Sequence, residues 1–160
     1  KVEKFIPAKK GKTHVLHIIR ELLSFEPTSK GTDIAQALQY FANAQKRHCT
    51  AFVISDFIDS GAIYKPLLIA SNRHEVNAIQ IYDRRETELP NVGLLKFRDA
   101  ETGDDLWIDT AIAAVRQTYA QAWRRNQEEI EQLFTRTGVN HVSVRTDEDY
   151  VKALMQLFRC

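Results

Sequence analysis

The spacing of apolar positions switches several times along the chain between a helical and an extended period. Residues 2–8 read as a short strand, and Pro7 inside it, with no N–H to donate, predicts an edge position. Over residues 13–25, Val15, Leu16, Ile18, Ile19, Leu22 and Leu23 form one face at helical spacing. Pro27 and Gly31 then end that helix. Thr32 or Asp33 can cap the next one, which runs through Ile34, Ala37, Leu38 and Phe41. Residues 50–55 hold Ala51-Phe52-Val53-Ile54 without a charge, which predicts a strand buried on both faces, as a central parallel strand is. A helix through Leu67, Leu68 and Ala70 and a strand over 75–82 follow.

The second half changes rhythm. Residues 92–97 and 106–109 flank Asp99-Ala-Glu-Thr-Gly103, a turn sequence that predicts a β-hairpin. A long helix is expected over 110–137, with Ile112, Val115, Tyr119, Trp123, Ile130, Leu133 and Phe134 on one side and Gly138 as its C-cap. The polar stretch 124–129 reads as its solvated face. A short strand over 142–145 and a helix over 147–158, with Asp147 near its start, complete the pattern. Alternating helices and strands predict an α/β fold with a doubly wound, mostly parallel, Rossmann-like sheet carrying an inserted hairpin. No repeat or low-complexity linker divides residues 1–160, so a single domain is expected.

Composition narrows the function classes. A formal net charge of +1 offers no global field to attract nucleic acid or an acidic membrane. No apolar run reaches the roughly 20 residues that span a bilayer, so neither nucleic-acid binding nor membrane insertion is expected. Cys49 and Cys160 suggest no disulfide framework, which favours a reducing, cytoplasmic setting. The clusters Lys9-Lys10-Gly-Lys12 and Arg84-Arg85 lack interleaved aromatics and read as solvated loops. Trp107 and Trp123 are expected to pack in the core or against the hairpin.

Ligands of doubly wound sheets gather at the carboxyl ends of the strands. Ser55-Asp56-Phe57 ends the most apolar strand, and Gly31-Thr32-Asp33 leads into a helix. The Thr32 hydroxyl and the Asp56 carboxylate are hard oxygen ligands suited to Mg²⁺, with Asp33 and Ser55 as local support. The same residues also serve as ordinary capping and turn residues. His14 and His17, three apart on a helix, lack a third ligand at zinc spacing and read as surface residues. Asp56 near Asp59 leaves a second reading open, a metal-dependent hydrolase or phosphoacceptor centred on Asp56, although no adjacent base or lysine completes it.

The order Gly31-Thr-Asp-Ile34 and then Ile54-Ser-Asp-Phe57 resembles the second and third parts of the metal-ion-dependent adhesion site of von Willebrand factor A-like domains. More narrowly, the chain resembles a bacterial family of such domains found beside MoxR-type AAA+ ATPases. Further pieces of that resemblance are Glu3-Lys-Phe-Ile-Pro7 with Lys10-Gly11, Tyr82-Asp-Arg-Arg-Glu86 with Glu88-Leu-Pro90, Asp99-Ala-Glu-Thr-Gly103 and Thr146-Asp-Glu-Asp-Tyr-Val151. The resemblance implies a Mg²⁺ site in the intact domain, with Thr32 as a direct ligand and Asp56 reached directly or through water. A partner's carboxylate would complete the shell. The Asp-x-Ser-x-Ser part of that site is absent from the sequence. The resemblance therefore implies a partial von Willebrand factor A-like domain, incomplete on its N-terminal side, with an incomplete site that binds no metal strongly by itself. A strand edge left open should either pair with residues 2–8 or self-associate. The expected function is a non-catalytic protein–protein interaction module acting with a MoxR-type ATPase in protein assembly or maturation.

Overall fold

The structure, a computed structural model, describes residues 2–28, 32–58, 62–98 and 104–158. Its elements are α1 (Lys12–Ser24), α2 (Ile34–Ala44), β1 (Thr50–Ser55), α3 (Tyr64–Ser71), β2 (Glu75–Tyr82), α4 (Arg84–Thr87), β3 (Leu94–Arg98), β4 (Asp105–Asp109), α5 (Ala113–Thr137), β5 (Asn140–Arg145) and α6 (Tyr150–Leu157). The fold is α/β. A parallel three-stranded sheet has the order β1-β2-β5, and β3 and β4 form a separate antiparallel pair.

The core lies on one face of the parallel sheet. In a parallel pair, facing residues project to the same side, so Ala51, Val53, Val76 and Ala78 share a face. Against them pack Ile34 and Leu38 of α2, Leu67 and Ala70 of α3, and Ile130 and Phe134 of α5. Phe134 is fully buried and meets Phe57 edge-on, with centroids 5.1 Å apart. Such a contact adds to burial because the positive ring edge meets the negative ring face. α5 stops where Gly138 adopts a left-handed φ of 66° and Val139 N–H returns to the Phe134 carbonyl at 3.1 Å. The opposite face is thinly covered. There Phe158, just past α6, approaches Phe52 at 6.1 Å.

Several sequence expectations are corrected. Residues 2–8 form no strand. Side chains tie them to the helices instead: Lys4 pairs with Glu21 and lies over the Phe25 ring, Phe5 meets Tyr40 edge-on, and the Thr28 amide donates to Glu3 at 2.8 Å. No pairing with β1 occurs. β1 is also not the central strand. β2 takes that place, with Val76, Asn77, Ala78 and Gln80 all buried, while β1 pairs on one side and alternates between exposed and half-buried. An apolar run shows that a strand can be covered on both faces, not which neighbours stand beside it.

The hairpin forms as expected, with Leu95 opposite Ile108 and Lys96 opposite Trp107, but outside the main sheet. Its 99–103 turn lies outside the described residues. Trp107 is exposed beneath Lys96 rather than packed in the core, whereas Trp123 is half-buried against Tyr82. α6 starts at Tyr150, later than residue 147, and is capped by Asp149, whose carboxylate accepts from Val151 N–H. Asp147 pairs with Arg145 at 2.5 Å, because a charged neighbour at the strand end outcompetes a backbone amide.

Candidate functional site

The three parallel strands all end at the same edge, so Asp56, Asp83 and Thr146 are grouped there by topology. Asp56 sits in a tightly held turn. Ser55 Oγ–H donates to Asp56 Oδ1 at 3.3 Å and accepts from Phe57 N–H at 3.2 Å. Asp56 Oδ1 also accepts from Ile58 N–H at 3.2 Å. Phe57 has a φ of 56°, the left-handed region that bulky residues rarely occupy, and its side chain is buried on Phe134. A strained backbone of this kind persists only where packing over-determines it, and it concentrates at functional sites.

Gln80 reinforces the turn from β2. It is 1% exposed, donates through Nε2 to the Asp56 carbonyl at 3.4 Å and accepts from Ser143 Oγ at 2.9 Å. One buried carboxamide thus ties the Asp56 turn to β5.

Asp33 is the N-cap of α2, accepting from Gln36 N–H at 2.7 Å, and Thr32 is exposed just before it. The structure brings Ser55 and Asp56 into contact, while Asp33 is engaged by its own helix. Gly31 and Asp59 lie outside the described residues. By donor chemistry, Thr32 and Asp56 are two oxygens, and Asp56 Oδ1 already accepts two hydrogen bonds. That falls short of the octahedral oxygen shell Mg²⁺ requires. Among the described residues, no group of three or more His, Cys, Asp or Glu side chains converges as a metal cage. The described contacts of Asp56 include no lysine or histidine to serve as a base. His14 and His17 do lie together, rings 6.1 Å apart, with His17 also near Glu21.

A second oxygen pair at this edge escaped the sequence reading. Asp83 caps α4 in a reciprocal arrangement with Glu86, and Thr146 Oγ–H donates to Asp83 Oδ2 at 2.9 Å. Arg85 N–H and the Thr146 hydroxyl hold the Asp83 carboxyl below its ordinary range. Asp83-x-x-Glu86 after an apolar strand is a capping-box signature that could have flagged the helix. The 63-residue reach to Thr146 had no local signal. Beside it, Arg145 pairs with Asp147 and Glu148, and Asp147 raises its pKa further.

The open side of β1 is the other notable feature. Phe52 and Ile54 are 45% and 61% exposed. A cleft of about 400 Å³ opens beside them between α2 and the sheet, lined by Leu38, Phe41, Val53 and Val76 among others. The helix α1 likewise buries none of its residues, leaving Leu16, Ile19, Leu22 and Leu23 exposed. No described helix is long and apolar enough to cross a membrane.

Comparison with known proteins gives relatives without assigned activities. An uncharacterized protein of Mycobacterium bovis is 30% identical over 155 residues, covering 94% of this chain and 48% of the relative. An uncharacterized protein of Mycobacterium tuberculosis matches to the same extent. The chain thus spans about half the length of these relatives. An uncharacterized protein of Mycobacterium avium is 28% identical over 158 residues and is itself 92% covered. Among solved structures, the conserved hypothetical protein BatB from Bacteroides thetaiotaomicron aligns with a TM-score of 0.47 at 17% identity, over 89% of this chain and 67% of that one. Residues 1–129 match the family described as protein of unknown function DUF58. The chain belongs to the DUF58 family.

Proposed function

We propose that this chain is a non-catalytic protein–protein interaction module that binds through the open side of β1 and the adjoining carboxyl edge of the sheet. The observation that carries this reading is the position of β1. Its second edge has no strand partner among the described residues, its side chains are apolar, and a cleft runs beside it. Unpaired backbone N–H and C=O groups flanked by apolar side chains recruit an extended partner segment. The buried supports of the Asp56 turn fit a recognition role, since they hold one loop conformation without supplying a proton-transfer group.

In its finer form the reading is a von Willebrand factor A-like module of a cytoplasmic bacterial system. Thr32 and Asp56 would be this chain's share of a Mg²⁺-dependent adhesion site, and a MoxR-type AAA+ ATPase its partner. These elements rest on the motif resemblance. The test is binding to the purified ATPase with and without Mg²⁺, comparing the chain with Ile54→Lys and Asp56→Ala. Binding lost in Ile54→Lys supports the β1 surface, and Mg²⁺-dependent binding lost in Asp56→Ala supports the adhesion site. Binding unaffected by either change would sink both parts. Turnover of a phosphate ester abolished in Asp56→Ala would instead establish the hydrolase alternative.

A further inference from the structure

At the end of the sheet opposite Asp56, Cys49 immediately precedes β1 and His74 immediately precedes β2. The ladder brings them together. Thr50 lies across from Glu75, and the Glu75 amide donates to the Cys49 carbonyl at 3.0 Å, so the preceding pair of side chains meets at the head of the two strands. Cys49 Sγ is 3.6 Å from His74 Nδ1.

The imidazole is fixed by packing. It is 4% exposed, lies 4.8 Å from the Phe41 ring and has the His48 ring 6.4 Å away. Its Nε2 is buried and has no hydrogen-bond partner among the described residues. The cysteine sulfur is therefore the polar contact toward which this buried ring is aimed. Cys49 itself is half-buried, less enclosed than His74.

The orphan Nε2 favours one tautomer. A neutral imidazole carries one N–H and one bare nitrogen. A proton on Nε2 would leave a buried donor unpaired, the rarer and costlier arrangement. A proton on Nδ1 points the N–H at Cys49 and leaves only a lone pair unmet at Nε2. That N–H is placed to donate to the sulfur anion that attacks a disulfide, the nucleophilic form of cysteine.

We propose that Cys49 and His74 form a thiol–imidazole modification site that reacts with low-molecular-weight disulfides. The Cys49 thiolate, its proton released to solvent, attacks one sulfur of the disulfide. A new S–S bond forms to Cys49 as the disulfide's own S–S bond breaks. The departing thiolate takes up a proton from solvent. Cys49 is oxidised to a mixed disulfide, and the attacked reagent is reduced to one free thiol. The chemistry does not require the interaction surface proposed above, although Phe41 borders both.

The experiment uses the full chain with Cys160→Ser, which leaves one thiol, and dithionitrobenzoate as the disulfide. The release of thionitrobenzoate gives the rate, and peptide mass mapping gives the position. We expect one adduct at Cys49, with His74→Phe slowing the reaction about tenfold. His74→Asn, which keeps a side-chain N–H near the sulfur, should recover most of the rate. An unchanged rate in His74→Phe, or equal slowing in Phe and Asn, would overturn the proposal, the latter by reducing His74 to a packing role. A reading that needs no variant is the rate in the folded chain against the urea-unfolded chain. Folded Cys49 should react faster despite its partial burial, and a slower folded rate overturns the site.

Discussion

Gln80, on the central strand and closed to solvent, donates its carboxamide N–H to the backbone oxygen of Asp56 at 3.4 Å. The other end of the same group accepts from Ser143. A single side chain therefore couples the turn after β1 to β5 across the sheet. Replacing Gln80 with Leu keeps the volume but leaves the Asp56 carbonyl and the Ser143 hydroxyl without this partner. The expected loss is about 1–3 kcal/mol of folding stability. Chemical denaturation gives that value, and hydrogen exchange should show faster opening at Phe57 and Ile58 than elsewhere in the sheet. Uniform exchange across the sheet would mean that Gln80 does not hold the turn.

Phe134 is the other anchor of the Asp56 turn, because its ring supports Phe57. Phe134→Ala should cost about 3–5 kcal/mol, the range for emptying a large aromatic from a packed core. Leu133, one position along the same helix and only partly buried, should lose clearly less on truncation. Urea midpoints of the two variants compare them directly, and similar losses would contradict the packing described.

Gly138 ends α5 at positive φ, and a Cβ added there would meet no atom within 4 Å. The penalty for Gly138→Ala is thus conformational rather than steric, about 1 kcal/mol. Gly138→Asn should cost less, since Asn tolerates the left-handed region. Thermal melts of the three proteins should rank Gly, Asn, Ala in falling stability.

Asp83 carries a pH signature. Its carboxyl is held below its ordinary value of 3.8 by the Arg85 amide and the Thr146 hydroxyl. A depressed folded-state pKa contributes stability that is present above the unfolded value and lost as pH falls through the folded one. Asp83→Asn keeps an oxygen for the cap but cannot ionise. The gap in stability between wild type and Asp83→Asn should be full at neutral pH and should close as acid is added below about pH 4. A gap that stays constant from pH 7 to pH 2 would show that ionisation of Asp83 does not matter.

Ile54 tests the uncovered face of β1. It is 61% exposed, so Ile54→Lys should change stability by no more than about 0.5 kcal/mol. If the edge self-associates, sedimentation velocity should show the wild type shifting to larger species with concentration while Ile54→Lys stays monomeric. A wild type that remains monomeric throughout would leave the face to a different partner.

Local chemistry made much of this protein legible in its sequence. The helical period of residues 13–25 and 110–137, the uncharged run 50–55, the apolar positions of 75–82 and Gly138 each gave an element that the structure contains, because period and backbone preference act within one or two turns of chain. Asp33 and the Ser55-Asp56 turn could be singled out for the same reason. Only the tertiary structure decided which strand is central, that residues 2–8 lie against helices instead of pairing, and that α1 and one side of β1 stay uncovered. The contacts of Gln80 with Asp56, Asp83 with Thr146 and Cys49 with His74 join residues 24, 63 and 25 positions apart. Strand order and register set such contacts, and no periodicity along the chain encodes which strands become neighbours.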